Sequence, residues 1–252
     1  MNDIEEKILK SKKYSSLDKN LISRIIKEES TKYNKLKDIE QNVKKRLHIL
    51  YGMYFKTKSY NKCKELINNN NNIPELLKLH NSTNERLSIN EEFYKYIKEH
   101  VKDFSSVIDI GCGFNPFTFF IQDSPNKYFA YDVDKNITDL INYFFKKHNI
   151  NGYSKTMDII TEYPKEKVDV TYMFKIVPLI ENQKTGRIKE IISKLSSKYI
   201  VITYPLKSIS GKKINMYETY SKSFVQLIPT IFKLIGKKRF DNELIFILEK
   251  NC

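Results

Sequence analysis

Apolar residues recur three and four positions apart through the first 79 residues of the chain, which is the spacing of one face of a helix. The clearest series begins at Leu36 and continues to Tyr54. This part of the sequence therefore predicts a small helical bundle. An asparagine run at 68–72 has no apolar periodicity, and Pro74 suits the first turn of a new helix. We place a hinge near this run and a domain boundary at residue 79.

The next segment, from residue 80 to residue 104, predicts helices that lead into a second domain. Ser82 precedes Glu85 and Ser88 precedes Glu91 by three positions, which is the spacing of a capping box. Apolar positions at helical spacing follow both pairs. We expect the second domain to span 80–252.

Beyond residue 104 the pattern changes to short apolar runs separated by helical stretches. Four runs are clear: 106–110, 128–131, 168–174 and 199–204. This order is typical of a parallel sheet in a doubly wound α/β domain. Near the end, runs at 231–235 and 244–248 flank a polar turn and predict an antiparallel hairpin at the sheet edge, preceded by a helix over 216–228.

Composition and charge narrow the class of protein. Of 252 residues, 40% are apolar and 29% charged, which excludes a disordered or fibrous chain. The formal net charge of +14 indicates a polyanionic partner, either nucleic acid or an anionic membrane face. Residues 1–79 carry 18 basic and 10 acidic side chains, so the positive excess is concentrated in the predicted bundle.

The sequence gives no sign of a membrane span or of a metal site. No apolar run reaches 18 residues, and the first six residues include three acidic and no basic side chains, unlike a signal peptide. We therefore expect a cytoplasmic protein. Cys63, Cys112 and Cys252 are far apart and odd in number, which favours buried thiols over a disulfide framework or a zinc site.

The strongest chemical signal is a glycine turn, Gly111-Cys112-Gly113, directly after the first predicted strand. Open α/β sheets bind ligands at this edge, and glycines let backbone approach a ligand closely. Asp109 lies before the turn, Asp132 ends the second strand, and Asp158 follows the third apolar stretch. A carboxylate in the position of Asp132 can accept from both ribose hydroxyls of a nucleoside.

The residues after this turn decide between two nucleoside cofactors. A dinucleotide fold requires GxGxxG, whereas Phe114, Asn115 and Pro116 follow Gly113 here. S-adenosylmethionine therefore fits better than NAD. A tight turn with two surface aspartates, or nucleotide binding without methyl transfer, remains an alternative at this point.

Longer motifs make the chain similar to one known family. They are HNSTNER at 80–86, DIGCGFNPF at 109–117, KKRLH at 44–48, AYDVD at 130–134, FKIVPLIENQ at 174–183 and YPLKSISGK at 204–212. With these motifs the sequence resembles the aminoglycoside-resistance 16S ribosomal RNA guanine-N7 methyltransferases over nearly its whole length. The resemblance implies a Rossmann-like, class I S-adenosylmethionine-dependent methyltransferase sheet with an N-terminal helical bundle. It also implies the assembled 30S subunit as substrate.

The resemblance further implies roles for individual residues around S-adenosylmethionine. Arg86 pairs with the methionine carboxylate, and Asp132 holds the ribose. The residues around the methionine part are Asp109, Gly111, Cys112 and Gly113. Asp158 and Ile159 border the adenine, and the residues near the cofactor after the fourth strand are Lys175, Pro178, Leu179 and Gln183. From the sequence alone, Arg86 could equally be a surface cation that pairs with Glu85 or Glu92.

Basic residues on the bundle and in a later loop are candidates for contact with RNA. The bundle candidates are Lys12, Lys13, Lys44, Lys45 and Arg46. The candidates after the fifth strand are Lys207, Ser208, Ser210, Lys212 and Lys213. For each of them a solvated surface position is the competing interpretation. We expect His48 and His80 to be packing or hydrogen-bonding residues, and Tyr51 and Tyr54 to be core residues.

Catalysis at N7 of guanine needs alignment and no general base, because N7 carries a lone pair and no proton. The sequence agrees: no D/N-P-P-Y and no Pro-Cys nucleophile follows the fourth strand. N7 lies in the deep groove of A-form RNA, so the target base has to be exposed or flipped. Two rivals stay open: a related methyltransferase acting on adenine N1, and an RNA-binding assembly factor without turnover. We expect a monomer.

Overall fold

The computed structural model describes residues 2–51, 60–69, 72–122, 124–206 and 216–251. Its N-terminal part is built of helices, as the apolar spacing predicts: α1 Asn2–Lys10, α2 Lys19–Ser30, α3 Leu36–Leu50, α4 Tyr60–Asn68 and α5 Ile73–Leu77. The first three pack around a core of their own, in which Ile8, Ile25 and Val43 are fully buried. We call residues 2–51, which contain α1–α3, the helical unit. Among the residues that the structure describes, no helix is long and apolar enough to cross a membrane.

Helices α4 and α5 belong to a different core. Cys63, Ile67 and Leu76 are buried in the same apolar cluster as residues that line the sheet, such as Val107 and Tyr128. Hydrophobic packing therefore favours a division between α3 and α4. The domain boundary predicted at residue 79 stays a proposal.

Helix α6, Asn81–Arg86, a 3₁₀ turn at Leu87–Ile89, and helix α7, Asn90–His100, lead into the sheet. The two predicted capping boxes are wrong. The N-cap residues are His80 and Ile89, and neither caps its helix through a side-chain hydrogen bond to a described residue. The buried Thr83 hydroxyl donates to the Leu77 carbonyl (2.6 Å), which closes the turn before α6, and Ser82 lies two positions after the N-cap.

Seven strands form one sheet: β1 Ser106–Ile110, β2 Lys127–Asp132, β3 Gly152–Thr156, β4 Lys167–Phe174, β5 Ser196–Pro205, β6 Phe232–Arg239 and β7 Glu243–Lys250. Their order is β3-β2-β1-β4-β5-β7-β6, and β1 to β5 are parallel. The doubly wound α/β prediction is confirmed. Successive residues of β1 enter opposite apolar clusters, Val107 on one face and Ile108 on the other.

The remaining helices flank the sheet: a 3₁₀ helix at Asn115–Ile121, α8 Lys135–Lys147, α9 Val177–Gln183, α10 Arg187–Lys194 and α11 Met216–Leu227. The predicted C-terminal hairpin is also confirmed. Strand β7 inserts antiparallel between β5 and β6, and Glu243 pairs in register with Pro205. This register places the start of β7 at the carboxyl end of β5, beside the ligand-binding edge.

The helical unit is attached at the same edge. Leu17 forms an antiparallel bridge with Asp134, in the loop after β2. The Asp18 amide donates to the Val133 carbonyl and the Lys135 amide donates to the Ser16 carbonyl, both at 2.8 Å. These backbone bonds fix the helical unit to the carboxyl end of β2, where a ligand of the sheet would lie.

Candidate functional site

A cleft lies at the carboxyl edge of the sheet, between the strand ends and the helical unit. Its empty space, counted out to the open mouth, is about 1080 Å³. The predicted residues on its wall are Arg86, Gly111, Cys112, Gly113, Asp132, Asp158, Ile159, Lys175, Leu179 and Gln183. The structure thus brings together ten side chains or turn residues that come from five separate segments of the chain.

Two predicted residues, Asp109 and Pro178, are not among the described residues that line the cleft. Asp109 is buried behind Asn115, to which it is hydrogen-bonded. Pro178 occupies the first turn of α9, where a missing N–H leaves no helical bond unmade. The geometry therefore does not place either residue in direct contact with a ligand in this cleft.

The glycine turn after β1 has backbone angles that favour glycine, with φ of +64° at Gly111 and +49° at Gly113. A Cβ on Gly113 would lie 2.7 Å from the His80 ring, so the turn also depends on a close approach. The Gly113 amide donates to Asp132 Oδ2 at 2.9 Å. The end of β2 therefore holds the turn in place.

Asp132 lies at the centre of the wall. Its Oδ1 accepts from the Asp134 amide at 3.0 Å, and its Oδ2 accepts from the Gly113 amide. Each oxygen therefore keeps one lone pair for a ligand hydroxyl. Burial raises the pKa of Asp132 to about 6, and the backbone amides partly oppose that rise. A ligand that donates two hydroxyls would stabilise the ionised carboxylate.

Arg86 forms a buried bidentate ion pair with Glu243. Its Nε and one terminal nitrogen donate to the two carboxylate oxygens at 3.2 and 2.7 Å, and the side chain is 1% exposed. The guanidinium carbon lies 4.6 Å from the ring centres of both Phe93 and Phe174. The surface alternative for Arg86 is therefore wrong. Sequence reasoning missed Glu243, which is 157 positions away and carries no local motif.

Lys175 adds a second cation at this end of the cleft. It follows β4 with a φ of +58°, which is rare outside glycine and is frequent at functional sites. Its Nζ lies 2.7 Å from a Glu85 oxygen and 3.4 Å from a Glu243 oxygen. Burial alone would raise the pKa of Glu243, but Arg86 and Lys175 hold it below its usual value. Arg86 and Lys175 are thus matched by two carboxylates, the buried Glu243 and the half-exposed Glu85.

His80 also lies on the wall and stacks on Phe114, with ring centres 5.3 Å apart. Burial, assisted by the charges of Lys175 and Arg86, lowers the pKa of His80 to about 3. The imidazole is therefore neutral and a weak base at physiological pH. This agrees with the packing role expected for it.

Asn115 connects the buried Asp109 to Arg86. Its Nδ2 donates to Asp109 Oδ2 at 2.8 Å, and its Oδ1 accepts from Arg86 at 3.1 Å. Tyr128 also donates to Asp109 Oδ2 at 2.8 Å, while Oδ1 accepts no hydrogen bond from a described residue. Burial raises the pKa of Asp109 to about 6. Asp109 thus supports the site from behind, through Asn115.

The helical unit contributes part of the wall itself, through Leu21, Leu50 and Tyr51. It also provides Arg24, which sequence reasoning missed. Arg24 Nε donates to Asp158 Oδ2 and a terminal nitrogen donates to Gln183 Oε1, both at 2.7 Å. The available signal was weak: a single cation beside the apolar face of α2, without a motif around it.

The predicted RNA-contact residues of the helical unit differ in how accessible they are. Lys12 and Lys45 are exposed. Lys13 is hydrogen-bonded to His48 Nδ1 at 3.1 Å, and Lys44 pairs with Glu40 at 2.5 Å. Lys207, Ser208, Ser210, Lys212 and Lys213 lie outside the described residues, as does Tyr54. Their contacts with RNA stay predictions.

Arg46 is held within the helical unit by two carboxylates of α2. Its terminal nitrogens lie 2.6 Å from a Glu28 oxygen and 2.7 Å from a Glu29 oxygen. Removing it would disturb the packing of α2 on α3. It is therefore a poorer candidate for RNA contact than Lys12 or Lys45.

Cys63 and Cys112 are buried free thiols, as the sequence predicts. Burial raises the pKa of Cys63 to about 11 and that of Cys112 well above its usual value. Neither thiol is activated as a nucleophile.

Comparisons with known proteins agree with this geometry. A family model described as ribosomal RNA methyltransferase (FmrO) matches residues 10–247. The 16S rRNA (guanine(1405)-N(7))-methyltransferase of Serratia marcescens is 27% identical over 251 residues, covering 100% of this chain and 99% of that protein. The enzyme of the same name from Proteus mirabilis is 28% identical over 275 residues, covering 99% and 97%.

Solved structures give the same likeness. The 16S rRNA methylase RmtB is 26% identical with a TM-score of 0.89, covering 99% of this chain and 98% of that one. The 16S rRNA methyltransferase RmtF, solved in complex with S-adenosyl-L-homocysteine, matches in fold with a TM-score of 0.92 at 24% identity, with coverage of 99% and 98%.

Proposed function

Because the chain belongs to the ribosomal RNA methyltransferase (FmrO) family, we propose that it transfers a methyl group from S-adenosylmethionine to N7 of a guanine in 16S ribosomal RNA. The observation that carries the proposal is the distribution of charge along the cleft. Strand order places Asp158 after β3, Asp132 at the end of β2, the glycine turn after β1 and Lys175 after β4. One end of the wall therefore carries Arg86 and Lys175, and the other carries the carboxylates Asp132 and Asp158.

S-adenosylmethionine fits this arrangement from end to end. Arg86 and Lys175 would hold its carboxylate: three of the five N–H donors of Arg86 are used in the hydrogen bonds described above, so two remain. Asp132 would accept from the ribose hydroxyls, and Asp158 from the adenine amino group. When bound, the cofactor supplies a methyl group on a positively charged sulfur.

The residues of the chain then have to orient the guanine and the cofactor and to exclude water. No proton has to be removed. Guanine N7 presents a lone pair without a proton. The neutral, weakly basic His80 on the wall is in keeping with such a reaction. We infer that the site has no general base and that alignment of N7 with the methyl carbon and sulfur provides the catalysis.

We further propose that the target lies in the decoding site of the assembled 30S subunit and that the exposed lysines of the helical unit dock on its RNA. N7 of a paired guanine is out of reach of side chains, so the enzyme must bind a region where the base can be extruded. Methylation adds a positive charge and removes an acceptor, which would weaken binding of polycationic aminoglycosides. A cytoplasmic, monomeric enzyme suits this role.

Mapping of the modified nucleotide tests the proposal. Purified 30S subunits are incubated with the chain and methyl-labelled S-adenosylmethionine, and the labelled nucleotide is located by chemical cleavage at N7-methylguanine. Label on guanine N7 supports the proposal. Label on adenine N1 would establish the related methyltransferase instead, and RNA binding without label would establish a non-catalytic assembly factor.

A further inference from the structure

Arg24, on helix α2 of the helical unit, is hydrogen-bonded to two residues that line the cleft of the sheet domain. Its side chain is 12% exposed, and it makes three hydrogen bonds in three directions. Nε donates to Asp158, one terminal nitrogen to Gln183, and the other to Glu28 at 3.0 Å. The two cleft residues lie 134 and 159 positions further along the chain, so α2 joins segments that are otherwise remote.

Arg24 holds both cleft residues in a defined orientation. Asp158 is 3% exposed. Its Oδ1 accepts from the Ile160 amide at 3.1 Å, and its Oδ2 accepts from Arg24 Nε. Gln183 accepts from Arg24 through Oε1 and donates to the Leu179 carbonyl through Nε2 at 3.1 Å. Each carboxylate oxygen of Asp158 therefore keeps one lone pair for a ligand, and the hydrogen bonds to both oxygens fix the orientation of the side chain.

The surroundings of Asp158 make this cation necessary. Asp158 and Glu162 both lie close enough to Asp18 for their charges to help raise the pKa of Asp18, after the larger effect of burial. Glu162 in turn accepts from Asn20 at 3.3 Å. Without Arg24, the buried Asp158 would lose its cationic partner in a corner that also holds the Asp18 carboxylate.

We propose that Arg24 is a positioning residue for the adenine side of the cofactor site. It holds the Asp158 carboxylate oriented to accept from the adenine amino group, so the helical unit completes the cofactor site as well as carrying candidate RNA contacts. This inference rests on the proposed function, because it takes S-adenosylmethionine as the ligand of the cleft.

Calorimetry on the full chain without RNA tests the role directly. The probes are S-adenosylhomocysteine and S-inosylhomocysteine, in which a carbonyl replaces the adenine amino group. Arg24→Met should weaken binding of S-adenosylhomocysteine by about tenfold or more, the loss expected when a charge-assisted hydrogen bond no longer fixes the acceptor. The wild-type preference for the adenine compound should shrink in the same variant. Lys27→Met removes an exposed charge three positions along α2 and should change neither value.

A double-mutant cycle shows whether Arg24 acts through Asp158. In the Asp158→Asn background, Arg24→Met should cost little further affinity, because its partner has already lost its charge. Arg24→Lys keeps the charge but not the three-way geometry, and should restore part of the affinity and part of the preference for adenine. If Arg24→Met folds poorly, Arg24→Lys tests the positioning role in its place.

Two results would overturn the inference. One is unchanged affinity and preference in well-folded Arg24→Met. The other is equal weakening of both ligands with full additivity in the Asp158 cycle, which would assign Arg24 a merely structural role. If the wild-type chain binds no S-adenosylhomocysteine, the proposed function itself is wrong and this inference falls with it. Normal wild-type binding with an unaffected Arg24→Met overturns the Arg24 role alone.

Discussion

Single buried side chains decide the charge of the candidate site, and Glu243 is the clearest case. It is the counter-ion of both Arg86 and Lys175, and its side chain is 2% exposed. Removal of one partner of a buried ion pair leaves the others as uncompensated charges, which costs far more than loss of a surface pair. The wall residue Asp132, by contrast, is only partly buried, and burial raises its pKa to about 6.

We predict that Glu243→Gln lowers the free energy of unfolding by about 3–5 kcal/mol at neutral pH, measured by chemical denaturation. The matched control is Glu249→Gln on the same strand, whose partner Lys233 is 59% exposed; it should cost less than about 1 kcal/mol. Because the folded-state pKa of Glu243 is lowered, its contribution is present above the unfolded value of 4.5 and is lost as pH falls through the folded value. The difference between wild type and Glu243→Gln should therefore shrink in acid. Equal stability of the two variants at neutral pH would show that the buried network has no net effect.

For Asp132 we predict that cofactor affinity falls as pH is lowered through about 6, because the protonated acid is a poorer acceptor for two ribose hydroxyls. Asp132→Asn should bind more weakly at pH 8 and show a flatter profile of affinity against pH.

The single-turnover rate of methyl transfer at saturating cofactor should stay nearly constant from mildly acidic to mildly alkaline pH, since no base is needed. A rising limb in that rate that disappears with one wall substitution would contradict the mechanism.

At the scale of elements, the site is a turn and several strand ends held in place by distant segments. The glycine turn was predictable because a local motif encodes it: positive φ at Gly111 and Gly113 requires glycine. The sheet was predictable because apolar runs and helical stretches alternate along the chain. Each of these signals is contained in a short stretch of sequence.

The segments that complete the site could not be predicted in this way. Glu243 comes from the hairpin and Arg24 from α2, and each acts on a residue more than a hundred positions away. Periodicity predicts that α2 and β7 exist, but it does not predict which of their side chains contact residues of the cleft wall. The capping boxes failed for the opposite reason: the local pattern was present, but the buried Thr83 determined where the turn closes.

Gly113→Ala tests the turn. We predict that it weakens cofactor binding by about tenfold, because φ of +49° strains any residue with a Cβ and that Cβ would lie 2.7 Å from the His80 ring. Gly186→Ala is the control, since it has φ of +77° and no described atom within 4 Å of the added carbon. It should lose about 1 kcal/mol of stability and no cofactor affinity. Equal effects of the two substitutions on affinity would show that backbone strain alone, and not the approach to His80, is responsible.

At the scale of the whole molecule, the helical unit is joined to the sheet domain around the cleft rather than on a remote face. A backbone bridge fixes it to the loop after β2, Arg24 is hydrogen-bonded to two wall residues, and Leu21, Leu50 and Tyr51 form part of the wall. The surface that we propose to dock on RNA therefore belongs to a unit that also lines the cleft. Exposed lysines on this unit would place the cleft over the target base.

The exposed Lys45 gives the cleanest test of docking. We predict that Lys45→Glu weakens binding to 30S subunits and lowers the slope of log affinity against log salt by about one, as expected for loss of one phosphate contact, while cofactor affinity stays unchanged. Lys194→Glu is the charge-matched control, because Lys194 is exposed just before β5 begins, at the edge of the sheet opposite the cleft.

Arg46→Glu should behave differently from Lys45→Glu although the two residues are adjacent. It would place a third carboxylate against Glu28 and Glu29, so we expect loss of stability of the helical unit, visible as a lower melting temperature, together with weaker cofactor binding through the displaced α2. A Lys45→Glu variant with unchanged 30S affinity and salt dependence would move the docking surface away from α3. An Arg46→Glu variant that is fully stable but no longer binds 30S would instead make Arg46 itself a phosphate contact, released from its carboxylates when RNA is bound.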